Sequence, residues 1–306
     1  MQDISLARQQ WRQLLQRPDL VGLGIVLPLL VYLLFVGYPV LYTLYLSFCE
    51  WDGFSKIVKF VGLSNYQTLV EDPDFWTALK NTIIWTIGTL FFSNVVAFLL
   101  AVALRSRLVY FAGFLRIIFF LPITMSLVAT GLMFSFILTP AFGALWTISQ
   151  ALGFANGPDL LGEPSSALYT LIVVFGWSYL GIPLILFTAG LTQIPEELYE
   201  AAILDGAGPL QRLRLITIPM LRPIFMVVTI LAAIEALRAF DLVLVMTRGG
   251  PGHASDTLGY FMWVESFHQR HFGYGAAISI VLIALTSALT LAYIRRAGRD
   301  ALGSGG

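Results

Sequence analysis

Apolar residues in this chain come in long runs separated by polar stretches. Six runs reach the roughly 20 residues that a helix needs to cross a hydrocarbon core. They extend roughly from Val21 to Phe48, Asn81 to Leu104, Phe114 to Leu138, Ala167 to Leu191, Ile224 to Met246 and Tyr274 to Ile294. The pattern predicts an all-α integral membrane protein with six transmembrane helices. The first run, at about 25 residues, is far longer than a signal-peptide core of about 7 to 15, so it is expected to stay in place as a span. The fourth contains Trp177, Ser178 and Tyr179 and then a Gly181-Ile182-Pro183 break, which frees backbone groups to line a cavity.

The basic residues between the runs are unevenly placed. Arg8, Arg12 and Arg17 precede the first run, Arg105, Arg107 and Arg116 fall in the second loop region, Arg212, Arg214 and Arg222 in the fourth, and Arg295, Arg296 and Arg299 in the tail. Together these are twelve of the eighteen Lys and Arg residues. The first and fifth loops hold Lys56, Lys59, Lys80, Arg248 and Arg270, and the third, Thr139 to Ser166, holds none. Basic residues resist translocation, so both termini and the loop around Glu196 are expected to be cytoplasmic. The chain then divides into a cytoplasmic segment 1–20, a membrane domain 21–296 with a polar loop at 192–222, and a cytoplasmic tail 297–306.

Composition agrees with this division. Of 306 residues 58% are hydrophobic and 12% charged, and the mean hydropathy is +0.80, outside the range of soluble domains. Eighteen acidic residues balance eighteen basic ones, so no net charge points to nucleic acid. A single cysteine, Cys49, excludes an intramolecular disulfide.

The polar loop is the most patterned stretch. Pro195 suits the first position of a helix, and Glu196 and Glu197 complement the helix dipole in its first turn. Leu198, Ala201, Ala202 and Asp205 recur at helical spacing and make a face of mostly small residues that permits close approach. Gly206 and Gly208 are expected to end this helix, and Pro209 to open a second one with Leu210, Leu213 and Ile216 on one side before Pro219 stops it. Periodicity alone leaves two readings open, a docking element and an amphipathic pair lying on lipid.

Glu200-Ala201-Ala202, three residues, Gly206, nine residues and then Ile216-x-Ile218-Pro219 resembles the EAA loop of bacterial ABC-importer permeases, with Ile218 in place of the usual Leu. The segments FVGLSNYQTLVEDPDFWTALKNT (60–82), LTQIPEELYEAAILDGAG (191–208), FDLVLVMTRGGP (240–251) and FGYGAAIS (272–279) are similar to the sugar-importer branch, of the maltose and sn-glycerol-3-phosphate type. The likeness departs at Arg248, where a Gly or small polar residue is commoner before Gly-Gly-Pro. It implies a type I ABC importer permease fold in the cytoplasmic (inner) membrane, forming half of a translocation pathway for a di- or oligosaccharide or a related polyol. It implies that the loop is a coupling helix seated in a separate ATPase. Glu200 would be the polar anchor, Ala201, Ala202 and Asp205 part of the seated helix, and Gly206 the turn out of the groove. The implied partners are a second permease, two ATPase subunits that bind ATP-Mg, and an external solute-binding protein, with lipid around the spans.

The chain itself has no G-x-x-x-x-G-K-[ST], since its only lysines are Lys56, Lys59 and Lys80; ATP hydrolysis is expected in the partner, and no cofactor or catalytic residue is expected here. His253, His268 and His271 share the fifth loop. The i, i+3 pair His268 and His271 suits zinc, but without a Cys or evident carboxylate ligand they read as solvated loop residues, and no metal is expected.

Inside the fifth run, Glu235, Arg238 and Asp241 recur every three residues and predict one polar stripe on neighbouring helical turns. Charges at that depth must face protein or water, which makes the three residues candidates for the substrate path or for a clamp to another helix. Aromatic rings stack on sugar C–H faces while charged acceptors bind hydroxyls, so Trp177 and Tyr179 join them as candidate sugar contacts, with ordinary packing as the alternative. A stand-alone ion-coupled carrier or channel using the same charges is the rival function, and it would have no need of the Glu200 loop.

Overall fold

The computed structural model describes residues 26–105, 111–154 and 157–303. The expected start of the first span at Val21 and the arginines at 8, 12, 17 and 107 lie outside them. Helix α1 (Val26–Leu46) leaves its large apolar side chains exposed and packs along the last helix of the chain. A short antiparallel hairpin follows, β1 (Cys49–Glu50) and β2 (Lys59–Phe60), with the buried Cys49 opposite Phe60. After α2 (Ser64–Glu71) comes α3 (Pro73–Arg105), 33 residues long and so roughly 50 Å from end to end. It begins about two turns before the expected Asn81 because Asp72 accepts the Asp74 N–H at 2.9 Å and Pro73 needs no partner in the first turn.

The third run, expected as one span from Phe114 to Leu138, is broken. Helices α4 (Gly113–Thr124) and α5 (Leu127–Leu138) meet at 104°. Pro122 removes a donor, Met125 is extended, and the Ser126 hydroxyl caps a new helix by accepting the Ala129 N–H at 3.4 Å. Beyond α6 (Ala144–Ala151) lie α7 (Ala167–Tyr179) and α8 (Gly181–Thr192), bent by 48° at the break expected there. The polar loop supplies α9 (Glu196–Leu204) and α10 (Pro209–Met220), and α11 (Arg222–Leu237) leaves α10 at 68°. Pro219, expected to stop α10, lies inside it, and the turn falls at Leu221.

The fifth run also departs from expectation, for the helix ends at Leu237 and not near Met246. There the N–H groups of Arg238 and Ala239 fall back on the carbonyls three residues earlier, at 3.2 and 3.1 Å. The carbonyl of Ala239 is taken by the Thr257 hydroxyl at 2.7 Å, so a hydrogen bond from a distant loop replaces the next helical one. A short wide turn (Val243–Thr247), α12 (Leu258–Trp263) and α13 (Phe272–Gly303) complete the chain.

Three buried clusters are strung along α3. Phe75 and Ala78 pack with Leu258, Phe261 and Ile278 near its start, Trp85 with Phe175 and Leu242 in the middle, and Phe98 with Phe187 and Leu221 towards its end. Where α3 crosses α7 each helix offers a glycine to the other. A Cβ on Gly176 would overlap the ring of Phe92, and one on Gly88 would overlap Ile172. Gly176→Leu is therefore expected to lower stability by about 1–3 kcal/mol through overpacking. The check is the thermal midpoint of the detergent-solubilised protein, with Gly113→Leu as control because nothing lies within 4 Å of a Cβ there.

Candidate functional site

Two neighbouring cavities of about 120 and 340 Å³ share Leu127, Phe175 and Glu235 in their walls. The smaller adds Trp85, Arg238 and Asp241, and the larger adds Ser178 and Tyr179 beside apolar side chains of the bent α4–α5 pair. Tyr179 stacks on Phe175 with 5.8 Å between ring centres, and Phe175 in turn lies 5.3 Å from Trp85. Arg238 reaches Glu235 at 3.8 Å, with the Arg238 side chain exposed and that of Glu235 half-exposed. The single-helix stripe expected from sequence is not what brings the three charges together. Glu235 is in the last turn of α11, Arg238 caps it and Asp241 lies beyond, and they converge because the chain curls around the smaller cavity.

Four of the five candidate contacts thus line one pair of cavities. Trp177 does not, since its ring packs on Phe134 of α5 at 5.3 Å. The residue that sequence reasoning missed is Trp85. It is 1% exposed, and its Nε1 has no hydrogen-bond acceptor among the described residues although it lines the polar cavity. The available signal was the set Thr82, Trp85, Thr86 and Thr89, a helical face with polar atoms that is buried along its length.

At one end of α3 stands the polar loop. Pro195 precedes α9 instead of occupying its first turn, and α9 buries none of its residues. Leu198, Ala201 and Asp205 form an exposed outer face with Ala202 half-buried, whereas Glu200 turns to the inner side and lines a cleft against α10. Gly206 ends the helix in the left-handed region at φ +79°, with the Ala207 N–H on the Ala202 carbonyl at 2.8 Å.

At the other end, the loop 248–258 is fastened to α3. The Asn81 side chain donates to the carbonyls of His253 and Ala254 at 3.3 and 3.1 Å, and the Thr82 hydroxyl accepts the Leu258 N–H at 2.9 Å. Arg248 adopts φ +52°, a conformation that glycine reaches without strain. The three histidines are apart from one another in their contacts. His253 Nδ1 bonds Asp256 at 2.6 Å with Asp74 3.9 Å from Nε2, His271 bonds Glu265 at 3.0 Å, and His268 meets the Trp263 ring at 4.8 Å. No group of three or more potential metal ligands occurs among the described residues. The hydrogen bond to Asp256 raises the His253 pKa, and burial raises that of Asp256 despite the nearby ring.

Residues 93–299 match the family described as "Binding-protein-dependent transport system inner membrane component". The chain is 35% identical over 268 residues to the probable ABC transporter permease protein YurN of Bacillus subtilis (strain 168), covering 87% of this chain and 92% of that one. It is 32% identical over 302 residues to the arabinooligosaccharides transport system permease protein AraP of the same organism, covering 96% and 94%. In fold it is similar, with a TM-score of 0.79 at 21% identity, to a chain of the bacterial alginate ABC transporter crystallised with an alginate pentasaccharide-bound periplasmic protein. That match covers 95% of this chain and 97% of the other.

Two outcomes follow from the charges. Arg238→Ala leaves Glu235 without the cation 3.8 Å away and removes the positive charge from the cavity that Asp241 also lines, and transport or complex yield is expected to fall by about tenfold, whereas Arg248→Ala removes a charge in an exposed turn and changes either little. For His253, a raised folded pKa means that its stabilisation is full below the unfolded value of about 6.5 and is lost as pH rises through the folded one. Hydrogen exchange of the loop 248–258 should therefore quicken as pH is raised above the unfolded value, after correction for intrinsic rates, and the pH dependence should vanish in His253→Gln.

Proposed function

The chain belongs to the family of binding-protein-dependent transport system inner membrane components and is the permease component of a sugar-importing ABC transporter, and from that premise we propose that α9 is its coupling helix. The observation that carries this reading is the uncovered outer face of α9. Leu198, Ala201 and Asp205 touch nothing that would bury them, yet the helix is capped and closed as a regular element. An ATPase groove is the surface that small residues of this face fit. Glu200, on the inner side, holds the polar edge of the seat, and Gly206 lets the chain leave it.

We place six spans in the membrane, in line with the three long apolar helices and the three bent pairs, and in the last pair α11 is the part that crosses while α10 belongs to the polar loop. The arginines at 212, 214 and 222 beside α9 support a cytoplasmic side for it, and the loop 248–258, at the other end of α3, then faces outward. ATP-Mg is held by the partner, and a second permease and an external binding protein complete the transporter. The paired cavities between α3, α7 and α11 are the part of the path that this chain contributes, with Glu235, Arg238, Asp241 and Tyr179 along it. The orphaned indole N–H of Trp85 supplies a donor suited to a sugar hydroxyl. Trp177 then acts in packing. The relatives named for arabinooligosaccharides and for trehalose and maltose favour a di- or oligosaccharide cargo.

The alternative for α9 is a helix lying on lipid, which the exposed Leu204 (89%) and Leu210 (75%) would suit. Ala201→Trp separates the two. Because Ala201 is exposed within its own chain, added bulk disturbs only a docked partner. The variant is expected to insert and fold normally while losing co-purification with the ATPase by about tenfold, and Gly206→Val, which forces a β-branched residue to φ +79°, should weaken substrate-stimulated ATP hydrolysis. Full co-purification and stimulation in both would favour the lipid-lying helix.

A further inference from the structure

Between α9 and the bundle lies a cleft of about 520 Å³, walled by Val102, Arg105, Tyr199, Ile203, Leu213 and Thr217 among others. The coupling helix therefore stands off the bundle instead of resting on it. Of its hydrophobic side chains Tyr199 alone, among the described residues, packs against the buried cluster of Phe98, Phe187 and Leu221. A displacement of α9 cannot pass through an open cleft by packing. It needs close contacts that do not compress.

Tyr199 and Arg105 supply those contacts. The Arg105 guanidinium lies 5.1 Å from the centre of the Tyr199 ring and donates to the Leu191 carbonyl at 2.6 Å. Leu191 is in the last turn of α8, where carbonyls lack helical partners and the dipole is negative, so the cation is held from both sides. The Tyr199 hydroxyl shares a hydrogen bond of 2.9 Å with Thr217 of α10. One ring and one guanidinium thus join α9 to the ends of α3 and α8 and to α10. At the far end of the same α3, Asn81 and Thr82 grip the loop 248–258.

Resting on the assignment of α9 as the coupling helix, we propose that Arg105 and Tyr199 form the strut by which movement of α9 reaches α3, and through α3 the loop 248–258. They are positioning residues of the transport cycle and need touch neither the ATPase nor the sugar. A lysine would keep the charge and the carbonyl bond but not the planar stack.

The test uses the assembled transporter in nanodiscs, trapped with ATP-Mg and vanadate, and reads hydrogen exchange. In the unaltered complex, trapping is expected to change exchange both in α9 and in the loop 248–258. In Arg105→Ala and in Tyr199→Ala the change in α9 persists while the change in the loop shrinks by at least about threefold, and the double variant shrinks no further than the worse single one. Arg105→Lys gives an intermediate loop response and Tyr199→Phe, which keeps the stack, one nearer the unaltered complex. A loop response equal to the unaltered one in Arg105→Ala, or in Arg105→Lys should the alanine variant fail to assemble, overturns the strut, as do additive losses in the double variant. An α9 that does not respond to trapping in the unaltered complex overturns the coupling assignment itself, which separates the two failures.

Discussion

The packing of this chain depends on one helix that does not break. Inside a bilayer every backbone donor and acceptor must be satisfied by protein, and an orphan costs several kcal/mol. A continuous α3 meets that demand internally and leaves its side chains free to order the rest. The close crossing with α7, possible only because Gly88 and Gly176 carry no side chain, brings the two backbones near enough for Trp85 and Phe175 to form the middle of the core. Helices that break do so against this support. The bends at Leu180 and Leu221 both bury their hinge residue in the cluster that surrounds Phe98.

Each break is also supplied with a substitute hydrogen bond or a residue that needs none. Ser126 caps the restart of α5, Pro122 has no N–H to lose, and Thr257 closes on the carbonyl of Ala239. The last of these lies beside the smaller cavity, whose wall includes Ala239 together with Arg238 and Asp241. The hydroxyl at this break comes from eighteen residues downstream, and Gly259 allows the approach, since a Cβ there would crowd the Ala239 carbonyl at 3.0 Å.

Much of this was legible in the sequence, and the misses have physical reasons. Long apolar runs, the Gly181 break and the Gly206 helix end are local signals, and the structure has helices, a bend and a left-handed turn at those places. The break at Pro122 to Ser126 was written locally too, but a continuous apolar run conceals it. The end of α11 was not readable at all from its own residues, because the hydroxyl that ends it comes from another loop. Trp177 and Tyr179 are close in sequence yet about 200° apart around a helix, so they could not both face one cavity. Trp85 was overlooked because a lone tryptophan among aliphatic neighbours reads as packing, and only burial without a hydrogen-bond partner reveals otherwise. The candidate charges were found by their rarity in an apolar run, which is the property that depth in a membrane enforces.

Because Tyr199 is, among the described residues, the side chain of α9 that packs on the buried cluster, the two sides of the helix answer to different demands. The inner side is bound to the bundle by Tyr199, while Leu198, Ala201 and Asp205 stay exposed and outside the buried clusters of the described residues. A substitution on such an outer surface costs the bundle little stability. The walls of the smaller cavity are instead shared with the core around Trp85, so that a change there disturbs packing as well as lining.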